Sequence, residues 1–599
     1  MRRPLHNFFQ EKFLFLLCIL IGVIHGTIYI FIAPPWAHYD EPTHFEYTWM
    51  IANREFFPKA GEVDILLRRQ IMQSMIANDF FRARGGRPDI NKMPDPVNIG
   101  ITQLGDPPIY YLIASIPLRF MRNQPIENQL IAGRFVSLIL FLAAVAVGWK
   151  FSREVAGKDN PIRWMIPLTM VLLPPLVELM SAESSDSAAL LVYSLFLLFG
   201  VQLLRQGLKI KYILVLALLV VIGFFTKSST WLMGAAMVIG IIVSFFRKRA
   251  FLGWILVGMA FVMALFLLFE WGDAALWYRD TLQNETTRIG TQFNGEKSFA
   301  IRLIDDSTER DVSLYQTLPK KYLPSNPGSP ITIGVWMWAE QPILVNPPQF
   351  MVLNDKGQRW INAEPVMLTQ QPVFYAYKIK FPAEAWQSFI VLKPFDRAEP
   401  TGTIYYAKPV VAAGTFDVWQ IPAFSDANAS RGEWAGKPFT NLVRNAGTIQ
   451  SWPKFRDFVY AFVDKIDYRL TEGIGRAIYA LDFKGAFWYT KSTLLAIFRS
   501  FWAKFGWGEV TLAGAKPYRP FIIATIIMLA GCLLGISKKF SWDGLNTALW
   551  LGVNIFLSLG FAWFTGISMN SFVSKPHLPV ARFIFPAILA ILTFWSFGW

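Results

Sequence analysis

Pro34-Pro35-Trp36-Ala37-His38-Tyr39-Asp40-Glu41-Pro42-Thr43-His44-Phe45 follows directly on the first apolar run of the chain. Two adjacent carboxylates with His44 close behind them, at the point where a helix leaves a membrane, are costly to place there without a use. This stretch therefore reads as an active-site loop. The remaining polar residues of an otherwise apolar chain are judged by whether they fall on the same side of the bilayer.

The chain has 599 residues, of which 53% are hydrophobic, 16% aromatic and only 17% charged. With a mean hydropathy of +0.35, it lies outside the soluble range and reads as a polytopic α-helical membrane protein. The formal net charge of +15 sits in short loops between apolar runs, as membrane topology requires, so nucleic acid is excluded as a partner. Cys18 and Cys532, the two cysteines, both lie inside apolar runs and support no disulfide framework, zinc knuckle or cysteine nucleophile.

The first span, 13 to 33, runs outward from basic Arg2, Arg3 and Lys12, is long enough to be retained, and places 34 to 130 outside. Within that loop 41 to 56 shows helical spacing suited to an amphipathic helix lying on the membrane, and 62 to 84 is a polar, Arg-rich helix. The apolar run 107 to 121 is too short to span comfortably. If it stays outside, spans at 131–150, 162–182, 186–205, 212–226, 229–246 and 251–271 alternate with basic cytoplasmic loops. Three more, at 519–536, 544–566 and 579–598, bring the total to about ten, with both termini cytoplasmic. The expected organisation is thus a membrane block over 1–271, an extracytoplasmic insertion over 272–490, and a second membrane block over 491–599. Period-two segments such as Ile331 to Trp338 and Val373 to Lys380 predict an all-β sandwich domain over 294–415 inside the insertion. Residues 416 to 490 suggest helices and loops lying back over the membrane surface.

On this topology Asp40, Glu41, His44, Asp106, Glu183, Asp186, Lys227, Lys575 and Arg582 all fall on the outer face. Asp40 also suits the cap of a helix beginning near Pro42. A carboxylate there can act as general base toward an acceptor hydroxyl, with Glu41 or His44 orienting it or holding a divalent cation. No metal is specified by one Asp, one Glu and one His without thiolates. Lys227 interrupts an apolar stretch and Arg582 precedes the last one. Each reads either as a snorkelling cation or as a contact for a lipid phosphate. Glu183 and Asp186 suit the cap of the next helix as well as a site, and Arg134 marks a helix start. Trp336, Trp338 and Trp360 read as sandwich core rather than as a sugar platform.

Asp40-Glu41, Gly105-Asp106-Pro107-Pro108-Ile109-Tyr110-Tyr111, Ala132-Gly133-Arg134, Glu183-Ser184-Ser185-Asp186 and Phe225-Thr226-Lys227 occur in an order that resembles the GT-C membrane glycosyltransferases. That superfamily includes protein mannosyltransferases and the aminoarabinose transferases of lipid A. The longer form of the first motif, with Phe501-Trp502-Ala503-Lys504-Phe505-Gly506-Trp507 and Ala581-Arg582-Phe583, is similar to a bacterial and archaeal branch of predicted membrane proteins. The resemblance implies a sugar carried by a polyprenyl-phosphate donor, a glycan, lipid or protein acceptor on the outer face, Asp40 as catalytic carboxylate, and Lys227 with Arg582 at the donor phosphate. Where the superfamily has His before Pro-Pro, this chain has Asp106. Asp106, Tyr110, Arg134, Glu183 and Asp186 are expected to line the site. The insertion resembles the jelly-roll carbohydrate-binding modules of glycoside hydrolases, opening at Asn294-Gly295-Glu296 and closing over Ile404 to Gly414. A transporter or flippase of lipid-linked saccharides would instead need polar residues in mid-span, and a non-enzymatic polysaccharide-binding protein would depend on the insertion alone.

Overall fold

The computed structural model describes residues 2–82, 85–157, 160–246, 249–279, 286–293, 296–303, 313–354, 357–382, 385–394, 402–466, 468–508, 510–537, 542–568 and 579–599. The chain divides into two compact units. The first comprises Met1–Met259, Leu495–Ala562 and Pro579–Trp599; the second comprises Ala260–Leu494 and Trp563–Leu578. Lys575 and the Asn294-Gly295 opening of the insertion lie outside the described residues.

Among the described residues seven helices are long and apolar enough to cross a membrane. They are Glu11–Ile32, Ile126–Val155, Asp186–Gln206, Ser228–Phe245, Phe251–Leu268, Lys516–Leu534 and Gly544–Ile567. The difference from ten lies in three segments. The expected span over 162–182 is two helices, Ile162–Leu172 and Pro174–Met180, bent by 64°. The break falls where Pro174 and Pro175 follow Leu173, because a proline removes a ladder donor and keeps the preceding residue out of helical backbone. The other two, Ile210–Phe224 and Phe585–Gly598, are short; at 1.5 Å per residue they reach only about 20 Å of a hydrocarbon layer near 30 Å. The run after Pro107 is a twelve-residue helix, Ile109–Phe120.

The first unit is built around Asp186–Gln206, whose most apolar stretch is 78% buried. Tyr193 on this helix donates to Asn554 Oδ1 at 3.0 Å, and Trp550 Nε1 donates to the Ala236 carbonyl at 2.9 Å. Chain segments more than three hundred residues apart thus share one core, in which Tyr193, Phe196, Leu197, Trp550 and Leu589 are packed.

The second unit holds two five-stranded antiparallel sheets. One runs Val373–Lys380, Pro330–Ala339, Gly402–Ala413, Glu296–Leu303, Thr286–Phe293; the other runs Tyr278–Arg279, Leu314–Leu318, Gln387–Leu392, Gln349–Asn354, Gly357–Ile361. Strand Pro330–Ala339 shows why they stack. Ile331, Ile333, Val335 and Met337 join the core shared by both sheets, while Trp336 and Trp338 turn to the other face. There Trp338 stacks on Tyr405 at 5.1 Å and Phe293 lies over both tryptophans. Trp338 is buried and Trp336 half-buried, so these rings spend their faces on one another.

Candidate functional site

The helix after the opening loop, Glu41–Asn53, is buried along almost its whole length. This corrects the expectation of an amphipathic helix lying on the membrane. Its polar side chains are matched from neighbouring elements: Glu46 takes a bidentate pair from Arg68 of helix Ile65–Ala77 at 2.6 and 2.9 Å. His44 Nδ1 lies 2.8 Å from the Tyr111 hydroxyl. A helix satisfied on every side has no apolar face left for lipid.

Asp40 and Glu41, adjacent in sequence, face different partners because Asp40 adopts a left-handed backbone conformation, φ 55°. Asp40 stands at the helix N-cap, yet its side chain makes no capping bond. The cap is supplied by its carbonyl oxygen, which accepts from the N–H groups of Thr43 and His44 at 3.1 Å and from the Thr43 hydroxyl at 2.9 Å. The carboxylate is left free to meet Arg582, 2.6 Å away. Burial alone would push the Asp40 carboxyl up; Arg582, aided by Lys227, outweighs it and holds the group below the usual carboxylate range. Arg582 lies over the rings of Tyr39 and Phe583 at 5.5 and 5.1 Å. Its short 3-10 turn, Ala581–Phe583, is pinned by the Ala581 N–H donating to Ser500 Oγ at 2.8 Å.

Glu41 has no contact with solvent and accepts both arms of Arg134, at 2.8 and 2.7 Å. The same guanidinium donates to the carbonyls of Ile30, Ala33 and Pro34. Glu41 and Arg134, expected in or beside the chemistry, thus form a buried clamp that ties the end of the first helix to helix Ile126–Val155. Gly133 has a purpose of its own: a Cβ there would lie 2.3 Å from Glu183 Oε2. The space a side chain would fill is occupied by the Glu183 carboxyl, whose pKa burial raises to about 8. Glu183 is therefore a neutral acid packed against a helix, neither a cap nor a charged group at neutral pH.

Asp186 and Lys227, 2.8 Å apart, form a further carboxylate–cation pair. Asp186 begins its helix, and its Oδ2 also accepts from Ser184 Oγ at 2.9 Å. The Asp106 carboxyl is pushed up by burial, with Lys227 and Arg582 opposing and Asp40 and Asp186 adding to the rise. The Asp106 loop is joined to the Lys227 turn through the Ile109 N–H donating to the Phe225 carbonyl at 3.1 Å. Asp40, Asp106, Asp186, Lys227 and Arg582 come from five segments, each at the end of an apolar helix. Tyr110 is a pillar rather than a lining residue: it is fully buried and lies 2.8 Å from Ser137 Oγ.

His44 is also placed differently from expectation. Burial, with Lys227 nearby, lowers its pKa to about 3, so the ring is neutral throughout the physiological range. It stacks on Tyr111 at 5.8 Å, and its Nε2 lies 3.5 Å from Ser184 Oγ. With Asp40 on Arg582, Glu41 on Arg134 and His44 on Tyr111, the three do not converge on a cation. Among the described residues no three His, Cys, Asp or Glu side chains are grouped to hold a metal.

Sequence reasoning passed over a neighbouring set. His38 Nδ1 lies 2.6 Å from Glu178 Oε1, in the short helix after the proline break, and that oxygen also accepts from the Gly506 N–H at 3.1 Å. Trp507 Nε1 donates to the Trp36 carbonyl at 3.1 Å. The Phe501 to Gly508 motif is therefore the wall against which the opening loop is held. Its signal in the sequence was the density of aromatic and glycine residues, which names no partner.

These features define a membrane protein with an ionised cluster gathered at helix ends. Residues 23–305 match the model of a family described as Predicted membrane protein (DUF2142). Asp40, Asp106, Asp186 and Lys227 lie inside that match and Arg582 outside it. No curated protein matches the chain. Solved structures similar to part of it include CBM22-1-GH10 modules of the Clostridium thermocellum N-terminal endo-1,4-beta-D-xylanase 10B, at 12% identity and TM-score 0.20, covering 27% of this chain and 30% of that one. This chain thus spans under a third of that structure. The others include a CBM4 structure, at 17% identity and TM-score 0.18, covering 23% of this chain and 87% of that one. A third is the CBM22-1 xylan-binding domain from Paenibacillus barcinonensis, at 10% identity and TM-score 0.19, covering 24% and 92%.

Proposed function

We propose that this chain is an integral membrane glycosyltransferase that moves a sugar from a polyprenyl-phosphate donor to an acceptor hydroxyl at the outer membrane face. The observation that carries the reading is the 2.6 Å meeting of Asp40, from the loop after the first helix, with Arg582, from the turn before the last. A carboxylate held ionised and a cation fit for a phosphate are set side by side at a helix end, the level at which a lipid headgroup would reach them. Asp186–Lys227 adds a second cation within the same field.

In this mechanism the acceptor oxygen attacks the anomeric carbon and its proton passes to Asp40. The bond from that carbon to the phosphate oxygen breaks, and its electron pair stays on the lipid phosphate, which Arg582 and Lys227 stabilise. Single displacement inverts the anomeric configuration. Glu41 and Arg134 hold the loop in place and take no proton. Neutral His44 fixes the helix below Asp40 by its contact with Tyr111.

The test is a lipid analysis of a strain lacking the protein. It should accumulate a polyprenyl-phosphate sugar and lose the matching residue from a surface glycan, lipid or protein. An unchanged lipid-linked sugar pool in that strain would count against the donor class.

A further inference from the structure

Beside the Asp40–Arg582 pair lies a cavity of about 10 Å³, bordered by Tyr39, Glu178, Ser500, Lys504 and Arg582. That is the room of a single water molecule. Lys504 begins the short hairpin after helix Phe487–Ala503. The chain goes to some length to keep its amine there. Gly508, with φ 87°, leaves open a point 2.5 Å from Lys504 Cε, 2.9 Å from its Nζ and 2.9 Å from the Tyr39 hydroxyl, so a Cβ at 508 would displace both groups. The hairpin is fastened by the bonds of Gly506 to Glu178 and of Trp507 to Trp36.

The charges around this amine are unbalanced. Lys227 is matched by Asp186 and Arg582 by Asp40, whereas Lys504 forms no ion pair among the described residues. The acid bordering its cavity, Glu178, is engaged by His38 and by the Gly506 N–H. The nearby charge that acts on Lys504 is another cation, Arg499, and burial together with that repulsion pushes the lysine pKa down. A half-buried ammonium repelled by Arg499, sharing a cavity with Arg582 and without an ion-pair partner among the described residues, is an anion site awaiting an anion.

We infer that Lys504 is a third phosphate-binding residue of this site, the one that first receives the donor's phosphate and passes it to Arg582. The inference rests on the glycosyltransferase reading above and deepens it. Because the cavity holds only a water molecule's volume, a phosphate enters as Arg582 leaves Asp40. Docking of the donor and release of the Asp40 carboxylate are then one event, and the base is withheld until a phosphate is present. A lysine that only snorkelled toward headgroups would have no such coupling.

The experiment uses the full chain in nanodiscs, with farnesyl phosphate as probe and farnesol as its uncharged control. Wild type should bind farnesyl phosphate more tightly than farnesol. Lys504→Met should weaken farnesyl phosphate by about tenfold or more, the worth of one charge-assisted contact, leave farnesol unchanged, and be largely rescued by Lys504→Arg. A second readout needs no variant: acetylation of Lys504 by acetic anhydride, followed by mass spectrometry, should be slowed by farnesyl phosphate and not by farnesol. Equal binding by wild type and Lys504→Met, or an unprotected Lys504 in wild type that binds the probe, overturns this inference alone. A wild type that does not distinguish farnesyl phosphate from farnesol overturns the donor class itself.

Discussion

Glu183→Gln keeps the shape of the buried side chain and removes its proton equilibrium. The folded carboxyl titrates near 8 because it is buried against Gly133, while an unfolded one titrates near the ordinary glutamate value of about 4.3. Below that value both states are protonated and the burial is free of this cost. As pH rises the unfolded chain gives up its proton first, so stability falls until the folded carboxyl also ionises, and levels off above about pH 8. At 1.36 kcal/mol per unit, the wild type should lose about 3 kcal/mol between roughly pH 5 and pH 7.5 from this group. The glutamine variant loses none of it. The assay is thermal unfolding of the full chain in detergent, by tryptophan fluorescence, for both proteins across that range. Their curves should diverge steadily with rising pH, the variant being the more stable at neutral pH. Parallel curves would refute the assignment of Glu183 as a neutral buried acid.

Arg134→Met leaves Glu41 a buried, unpaired carboxylate and frees three backbone carbonyls, so a loss of about 3–5 kcal/mol is expected, read as a lower unfolding temperature than for Arg69→Met, which breaks the solvent-accessible Arg69–Asp95 pair. Gly133→Ala should destabilise by about 1–3 kcal/mol through its clash with Glu183 despite the gain in helix propensity, and Gly133→Ala combined with Glu183→Ala should recover most of that loss. The His44 ring should remain neutral down to about pH 4, as nitrogen chemical shifts of labelled histidine would show; a midpoint near the ordinary value of about 6.5 would contradict its burial.

The charged residues were legible in the sequence because an ion is conspicuous in an apolar chain. Asp40, Lys227 and Arg582 could be singled out from their surroundings alone. What they touch could not. Asp40 and Glu41 read as a pair, and only the left-handed turn at Asp40 sends one to Arg582 and the other to Arg134. His44 read as a group that orients the base or holds a cation until its burial against Tyr111 was visible. Glu178 sits in an apolar run whose bend at Pro174 brings it beside His38, a juxtaposition across 140 residues that no local pattern encodes. The separate β-sheet region announced itself by alternation, since a period of two survives in any strand with one buried face. Among the described residues the long apolar helices number seven against the ten spans expected, because one expected span is broken and Ile210–Phe224 and Phe585–Gly598 have the composition of spans without their length.

The central claim is that Asp40 activates an acceptor toward a lipid-phosphate sugar. Asp40→Asn preserves the left-handed backbone, which asparagine also tolerates, and removes the base. Wild type and variant are reconstituted in nanodiscs with a polyprenyl-phosphate sugar labelled in the sugar and an envelope fraction as acceptor, after matched unfolding profiles show both to be folded. Wild type should move label to the acceptor and release one free polyprenyl phosphate for each sugar transferred, while Asp40→Asn should be slower by about a hundredfold or more. Transfer at the wild-type rate by folded Asp40→Asn would contradict the account.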